Sequence, residues 1–501
     1  MRVAMDWKKF VLGLGLLLVV ALLGCAEQPP ATPAPTTPAL TTPPVTTPPV
    51  TTPPVTTPPA TTPTTPVTTP KTTPPVSAEP IRVCALFDPR VPVFKGNIEV
   101  IKMAINEINS AGGIAGRKVE FYHEDTQRKV DIAVTSYRKA ILELKCDVVF
   151  FEGVTEETLA VIEEGAKLYK TKPHLFITST AAMEQTLFPL QNYEKYKFVF
   201  NALPVGPEHH YGWTKPFFED AKQYMGVKKV ALLIEDAAWT LCSREGCKYE
   251  TSFGTAETKA MKDWIREEIG LDVVYVANIA VGEKNFLPLL EMAKSKGAEY
   301  IFVRSSWYTD VTTLVKQWST SSARDIPIVL WGGPNHWSAF WNITGGAALG
   351  VITAGAYDAP NIPPISPLTR PFIEKARNLG LSVDISSHNF YSEMYRVKEA
   401  MEKVGDPKDI DAVIKAMEEI EFQNHTLLPP YAAFLGYKDP RLHSYTGLPS
   451  PVPAQFQCNG EIVYISSPER IRAAGYSEEV VSMMHPEAYK PPAELRKICG
   501  K

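Results

Sequence analysis

Residues 81–124 decide the fold class and read IRVCALFDPRVPVFKGNIEVIKMAINEINSAGGIAGRKVEFYHE. The first seven residues form a short run rich in β-branched and aromatic side chains, which predicts a buried strand over 81–87. Isoleucines then recur at helical spacing, at Ile98, Ile101, Ile105 and Ile108. A glycine-rich turn at 111–117 ends this helix and leads into a second strand at 119–123. The stretch therefore predicts a strand–helix–strand unit with parallel strands.

The same alternation continues along the chain. Further strands are predicted near 147–151, 174–178, 198–202, 229–234, 272–277, 300–304, 326–331 and 351–357. Segments of helical period lie between most of them, and strands that alternate with helices form parallel sheets. About ten strands are many for one open sheet. We therefore expect an α/β protein with two doubly wound lobes.

The pattern changes after residue 357, where helices follow one another. They are predicted at 372–379, 387–404 and 407–420, and no strand separates the last two. Their apolar faces have no sheet of their own to cover. We therefore expect the chain to return to the first lobe and pack there.

The composition excludes two classes of protein. The 501 residues include 51 Lys and Arg against 55 Asp and Glu, so the chain lacks the basic excess of a nucleic-acid binder. The mean hydropathy of −0.10 excludes a protein with many membrane spans. Of the 45 prolines, 18 lie between residues 29 and 76, so the proline content of the remaining chain is ordinary.

The first 25 residues are predicted to be a signal peptide with a lipobox. Basic residues precede an apolar run of 14 residues at 10–23, which is short for a membrane span. The run ends in LLGC at 22–25, and in a lipobox the thiol of this cysteine, Cys25, is alkylated by lipid. An uncleaved anchor helix and an ordinary secretory peptide remain alternatives. Either anchor tethers the rest of the chain to the membrane outside the cytoplasm.

Residues 26–78 are predicted to be a Thr/Pro-rich linker with TTPPV-type repeats, in which Lys71 is the only charge between residues 29 and 76. Proline fixes φ and lacks the N–H for helix or sheet bonds, so the segment favours extended polyproline II. At ~3.1 Å per residue its proline-rich part would reach on the order of 150 Å when fully extended. It is either a stalk of required length or a flexible spacer.

Several segments of the folded part resemble one protein family. They are 105–120 (INEINSAGGIAGRKVE) with Glu124-Asp125, 198–201 (FVFN), 226–233 (GVKKVALL) and 391–405. These segments resemble type I periplasmic binding proteins, and more narrowly the leucine/isoleucine/valine-binding branch of ABC-transporter solute receptors. The resemblance covers about residues 79–465.

The resemblance implies two Rossmann-like lobes joined by three crossover segments, a Venus-flytrap arrangement with the ligand in the cleft. We assign the first lobe to residues 79–200 plus 358–455. The second lobe takes residues 201–357 plus 456–470, and residues 471–501 form a C-terminal extension.

The candidate ligand-binding residues follow the predicted strands, because the carboxyl ends of parallel strands meet at one crevice. They are Phe94, Thr155, Glu156, Ser179, Thr180, Asp236, Trp239, Trp307, Asn335 and Tyr357. The resemblance implies that Phe94, Trp239 and Trp307 hold aromatic rings over the ligand. It also implies that Asn335 lies close to the place where relatives hold a carboxylate for the ligand ammonium.

Two departures from the family pattern bear on the ligand. Relatives have a serine for the ligand carboxylate where this chain has Glu156 and Glu157, whose charge repels a carboxylate. Ala182 aligns with the assisting threonine, and Thr180 lies two residues earlier. These departures favour a ligand that is neutral, or that carries an amine without a carboxylate, held by aromatic faces. Alternatively, Glu156 and Glu157 only stabilise a helix N-terminus through its dipole.

Six cysteines remain after Cys25, and an extracellular location favours disulfides over free thiols. We expect Cys242 and Cys247, which bracket a short polar segment in a loop near the cleft, to pair. Cys458 and Cys499 could fasten the C-terminal tail, and Cys84 and Cys146 lie near strands that should be neighbours. The spacing does not resemble a zinc motif, and no metal is expected.

The sequence therefore predicts a membrane-tethered solute-binding protein that delivers an amino acid, amide or related nutrient to an ABC permease. We expect a monomer without a cofactor and without a nucleic-acid partner. A tethered sensor with the same fold is the main alternative. A secreted hydrolase is disfavoured because no G-x-S-x-G, H-E-x-x-H or Walker motif occurs. A structural surface protein is disfavoured because the folded part lacks repeats.

Overall fold

The computed structural model describes residues 79–181, 184–203, 211–252, 254–427, 443 and 452–501. All of these residues belong to one compact unit, Pro74–Lys501. The signal peptide, the lipobox with Cys25, the whole linker and Ala182 lie outside the described residues. None of the helices in the described ranges is both long enough and apolar enough to cross a bilayer.

The strands confirm the predicted alternation and add several short elements to it. They are β1 Ile81–Leu86, β2 Val119–Glu124, β3 Val148–Phe151, β4 Leu175–Thr178, β5 Val199–Asn201, β6 Lys229–Glu235, β7 Cys247–Thr251, β8 Gly254–Thr258, β9 Asp272–Ile279, β10 Tyr300–Arg304, β11 Ile328–Trp331, β12 Ile352–Thr353, β13 Ala454–Phe456 and β14 Ile462–Tyr464.

The α-helices lie mostly between strands. They are α1 Pro92–Ser110, α2 Val130–Leu142, α3 Thr155–Tyr169, α4 Glu184–Gln191, α5 Tyr193–Tyr196, α6 Lys215–Tyr224, α7 Leu241–Glu245, α8 Met261–Trp264, α9 Leu287–Ser295, α10 Val311–Thr320, α11 Phe340–Ile343, α12 Thr369–Asn378, α13 Ile385–Val404, α14 Ile410–Glu419, α15 Pro468–Ala473, α16 Glu478–Ser482 and α17 Pro492–Ile498.

Two separate sheets confirm the predicted two-lobed α/β class. The first sheet has the order β2-β1-β3-β4-β5, and every pair in it is parallel. The second has the order β14-β13-β12-β11-β10-β6-β9. It is parallel from β12 to β9, whereas β13 and β14 run antiparallel. Each sheet has helices around it and its own buried core.

The turn after α1 shows why the first unit needs glycine. Gly113 has a φ of +81°, and a Cβ at this position would lie 1.9 Å from the carbonyl oxygen of Arg117. Only glycine tolerates both the left-handed backbone and this close approach. The chain can therefore reverse sharply and place β2 beside β1.

The chain returns to the first lobe after β12, as the helix pattern predicts. Phe390 of α13 is fully buried, with its ring centroid 5.4 Å from that of Phe87 and 5.6 Å from that of Phe150. Helices α12 and α14 contribute Phe372 and Met417 to the same core. The first sheet is therefore covered by helices from two stretches of the chain, one that precedes the second lobe in sequence and one that follows it.

The boundary of the second lobe differs from the expected one. Ala454 of β13 pairs with Thr353 of β12. The last part of the second sheet therefore starts within residues 358–455, which we assigned to the first lobe. A strand of three residues is too short to show a periodic pattern in the sequence. The C-terminal extension also joins the second core, to which it contributes Ile471 and Val480.

A two-stranded hairpin, β7–β8, was not predicted at all. Its antiparallel register runs from Cys247 opposite Thr258 to Thr251 opposite Gly254. Alternating polar and small residues give it little hydrophobic signal.

All three cysteine pairs considered from the sequence are disulfides in the structure. Cys84–Cys146, Cys242–Cys247 and Cys458–Cys499 have Cα–Cα distances of 5.9, 5.0 and 5.6 Å. These distances lie in the range that disulfides require.

We predict that Phe390→Ala lowers the free energy of unfolding by about 3–5 kcal/mol, because it opens a cavity between α13 and the first sheet. Leu379→Ala is the control, since that side chain is 59% exposed, and it should change stability by less than about 0.5 kcal/mol. Denaturant titration measures both. Equal effects of the two substitutions would contradict the packing of α13 on the first sheet.

Candidate functional site

A cleft of about 870 Å³ is lined by residues of both lobes. Its walls come largely from loops at the carboxyl ends of strands, as expected for open parallel sheets. Of the candidate residues, those that line the cleft are Phe94, Thr155, Glu156, Ser179, Thr180, Asp236, Trp239 and Trp307. The structure therefore brings together eight candidate residues from five separate stretches of the sequence.

Asn335 and Tyr357 are placed differently from the other candidates. The Asn335 amide nitrogen donates to the Leu330 carbonyl at 3.1 Å and to Thr353 Oγ1 at 3.0 Å, beneath the cleft. Tyr357 is buried in the first core. Neither residue is part of the cleft lining. A direct contact of either side chain with ligand stays a prediction.

Trp239 is held in place from two directions. Its indole nitrogen donates to Glu235 Oε2 at 2.6 Å, and Glu235 Oε1 accepts from Ser306 at 2.9 Å and Thr309 at 2.6 Å. The guanidinium of Arg304 lies 5.1 Å from the centre of the indole ring. Trp239 therefore already has a cation–π partner within the protein, which the sequence did not indicate.

Arg304 is a buried cation without a carboxylate partner among the described residues. Its Nε and Nη1 atoms are buried and make no hydrogen bond in this part of the chain. Burial lowers the pKa of Arg304 to about 10, so the guanidinium remains charged at neutral pH. The guanidinium lies behind the indole ring of Trp239 and is not part of the cleft lining.

Two buried carboxyl groups of the first lobe line the cleft, and the candidate set did not include them. Glu152 accepts from Asn97 Nδ2 at 2.6 Å and from Ser386 Oγ at 2.9 Å. Asp384 caps α13 by accepting from the Ser387 backbone N–H at 3.0 Å. Glu152 directly follows the apolar run of β3, so its position at the strand end was the signal available in the sequence.

The environment of these two groups disfavours their charged forms. Burial, with the nearby Asp384 charge, raises the pKa of Glu152 well above its usual value. Burial likewise raises the pKa of Asp384 to about 6, although hydrogen bonds from Ser387 and from the Trp307 side chain oppose the shift. The bond from Trp307 crosses the cleft, because Trp307 follows β10 of the second lobe.

The two glutamates at the start of α3 have separate roles. Glu157 is buried, and the Val154 backbone N–H donates to its Oε2 atom at 3.0 Å. Burial raises the pKa of Glu157 to about 7. Glu156 is exposed and lines the cleft. The alternative in which a glutamate only stabilises the helix N-terminus therefore fits Glu157, whereas Glu156 is available to a ligand.

His336 and Tyr308 are lining residues with buried polar atoms that have no hydrogen-bond partner in the described part of the chain. Both ring nitrogens of His336 and the hydroxyl of Tyr308 are in this state. Burial lowers the pKa of His336 to about 4, so its imidazole is neutral at pH 7. The sequence places His336 beside Asn335 in one short turn, and packing alone decides which of the two faces the cleft.

Arg128 of the first lobe reaches across the cleft to Tyr308. Its guanidinium lies 5.1 Å from the centre of the Tyr308 ring, and its Nε atom lies 3.3 Å from Asp88 Oδ2. Together with the bond between Trp307 and Asp384, this contact joins the lobes across the cleft. Over the described ranges, no group of three or more His, Cys, Asp or Glu side chains could hold a metal ion.

Residues 89–439 match the family described as periplasmic binding protein. The chain is 22% identical over 317 residues to Leu/Ile/Val-binding protein homolog 3 of Brucella melitensis, covering 63% of this chain and 76% of that protein.

Solved structures show the same fold. One is attributed to a branched-chain amino acid ABC transporter of Silicibacter pomeroyi, with a TM-score of 0.59, 19% identity and coverage of 77% of this chain and 96% of that one. Another is the substrate-binding protein LivJ of Streptococcus pneumoniae in complex with isoleucine, with a TM-score of 0.56, 15% identity and coverage of 77% and 98%. At these identities the likeness concerns the fold alone.

We predict that Asp384→Asn flattens the pH dependence of stability. In the folded protein the pKa of Asp384 is raised from its usual 3.8 to about 6, so the carboxyl keeps its proton at pH values where the unfolded chain loses it. The contribution of this proton to the stability of the wild type is therefore lost as the pH rises from about 4 to 6. The variant should gain about 2 kcal/mol relative to wild type over this window, since one pKa unit corresponds to ~1.4 kcal/mol.

Denaturant titrations at pH 4, 5, 6 and 7 measure this difference. Asp272→Asn on β9 is the matched control, because its side chain is exposed, and its curve should run parallel to that of wild type. A parallel curve for Asp384→Asn would show that Asp384 ionises as freely in the folded protein as in the unfolded chain.

Proposed function

The chain belongs to the periplasmic binding protein family, and from this premise we propose that it captures a small solute outside the cytoplasm and delivers it to an ABC permease. The apolar run and the LLGC sequence at 22–25 support a lipid anchor on Cys25. The Thr/Pro-rich linker then holds the folded part away from the membrane. The protein acts as a monomer that binds without catalysis and without a cofactor.

The polar lining of the cleft is the observation that supports solute capture most strongly. His336 and Tyr308 bury ring nitrogens and a hydroxyl without partners among the described residues. A buried polar group without a hydrogen bond costs about 1–3 kcal/mol. A solute with complementary donors and acceptors removes this cost, which is a direct source of binding free energy.

Closure of the lobes is the step that couples binding to transport. A solute between Trp239 of the second lobe and Phe94 of the first contacts both lobes only when they are together. The contacts Trp307–Asp384 and Arg128–Tyr308 belong to this closed arrangement. The solute shifts the equilibrium by the difference between its affinities for the closed and open states.

The charges of the cleft favour a solute without a carboxylate. On the first lobe, Glu156 and Asp384, which has a pKa of about 6, repel an anion at neutral pH. Glu152, whose pKa is raised well above its usual value, adds carboxyl oxygens rather than a charge. Arg128, one of the two lining cations of the first lobe, is paired with Asp88. We therefore propose a neutral amide, or an amine that lacks a carboxylate, with its donor groups directed at the first lobe.

We predict that the wild-type protein binds leucinamide at least about tenfold more tightly than leucine in calorimetric titration, because only leucine brings a carboxylate to Glu156. Glu156→Ser should shift the ratio of the two affinities towards leucine, since it removes the charge and supplies a hydroxyl. Valine, putrescine and maltose complete the panel. Tighter binding of leucine than of leucinamide to the wild type would refute the proposed class.

We predict that His336→Leu weakens leucinamide binding about tenfold or more and changes the free energy of unfolding by less than about 1 kcal/mol, because the imidazole lost has no hydrogen-bond partner among the described residues. His174→Leu is the matched control. His174 is also buried, but it hydrogen-bonds to Tyr137 and to the Lys172 carbonyl.

The control should show the opposite pattern. Thermal unfolding should reveal a loss of about 2–4 kcal/mol for His174→Leu, with affinity unchanged at temperatures where the protein is folded. If His336→Leu instead destabilises the protein and leaves affinity unchanged, His336 has a structural role.

A further inference from the structure

The hairpin β7–β8 leaves the second lobe and lies against α4 of the first lobe. The hydroxyl of Tyr249 donates to Glu184 Oε1 at 3.1 Å, and the Ser252 backbone N–H donates to the Leu190 carbonyl at 3.1 Å. The side chain of Gln191 donates to the Glu250 carbonyl at 3.3 Å. Polar contacts thus join the two lobes along the length of α4.

An apolar seam lies beneath these hydrogen bonds. Leu187 of α4 is 1% exposed and packs in a small cluster with Cys242. Leu190, Cys247, Tyr249 and Ala256 pack against this pair. The cluster is separate from the cores of the two lobes and contains residues of both. Its formation therefore requires the hairpin and α4 to be in contact.

The Cys242–Cys247 disulfide connects this contact to the cleft wall. Cys242 lies in α7, three residues after Trp239, and the bridge ties it to the first residue of β7. The hydroxyl of Tyr249 is also 3.1 Å from Cys242 Sγ. The segment that carries Trp239 is thus fastened to the same hairpin that contacts α4.

The first-lobe side of the contact is close to the cleft as well. Thr180, a lining residue, has its hydroxyl 2.8 Å from Gln185 Oε1 of α4, and Gln185 Nε2 donates to the Thr180 carbonyl at 2.5 Å. The two partners of the hairpin contact are therefore each bonded to a wall of the cleft.

We propose that the hairpin β7–β8 and α4 form a clasp that fastens the second lobe to the first beside the cleft and sets the position of Trp239. The clasp is a non-covalent connection between the lobes in addition to the segments by which the chain crosses between them. It acts whichever solute the cleft takes, so it stands apart from the proposed ligand class.

Hydrogen exchange of the α4 amides, residues 184–191, tests the clasp in the full chain without any ligand. The double variant Cys242→Ser/Cys247→Ser should exchange these amides at least several-fold faster than wild type, although neither substitution lies in the first lobe. The matched control is Cys458→Ser/Cys499→Ser, which removes the other disulfide of the second lobe and should leave α4 exchange unchanged. Wild-type exchange in the first variant, or equal acceleration in both, overturns the proposal.

A milder variant and a second readout keep the test independent of disulfide loss. Tyr249→Phe keeps the ring in the seam and removes only the hydroxyl, with its contacts to Glu184 and to Cys242 Sγ. The protein should therefore fold, and α4 exchange should still accelerate about twofold or more. The fluorine resonance of 5-fluorotryptophan at position 239, assigned with Trp239→Phe, should shift in Cys242→Ser/Cys247→Ser and stay in place in Cys458→Ser/Cys499→Ser. An unshifted resonance in the first variant shows that the bridge does not position Trp239.

Discussion

The packing of α13 on the first sheet is the constraint on which the cleft depends. Phe390 fixes this helix against Phe87 and Phe150, and the helix begins at the cleft with Asp384 as its cap. Ser387, in the first turn, donates to Asn97 of α1 at 2.6 Å. Apolar burial outside the cleft lining thus decides where the Asp384 carboxyl and the neighbouring Ser386 hydroxyl lie.

The same packing explains why carboxyl groups tolerate burial in this cleft. Glu152 accepts hydrogen bonds from Asn97 and Ser386, and Asp384 accepts one from the Ser387 backbone N–H, all of them groups fixed on α1 or α13. Hydrogen bonds of this kind reduce the cost of desolvation but do not remove it, so both pKa values stay raised. Because α13 and α1 belong to the same lobe, the Glu152 and Asp384 carboxyl groups are held in position before the lobes close.

Much of this could be predicted from the sequence, because the relevant signals are local. Strand-like apolar runs and helical spacing predicted the two sheets and the returning helices. The strand-end rule selected ten candidates, of which eight line the cleft. The hairpin β7–β8 escaped prediction because its residues pack mainly on α4, a partner that no local pattern reveals. The orientation of His336 and Asn335 likewise depends on tertiary packing, and Arg304 looks like an ordinary residue at the end of a strand.

The entry of the chain into the folded part has a mechanical consequence. Lys408 of the first lobe donates to the Pro80 carbonyl at 2.8 Å and also pairs with Asp147, so the residues just before β1 are secured to the first lobe. The other end of the chain is bridged through Cys499 to Cys458 in the second lobe. A pull along the linker would therefore load the first lobe directly, and it would reach the second lobe only through the clasp and the segments by which the chain crosses between the lobes.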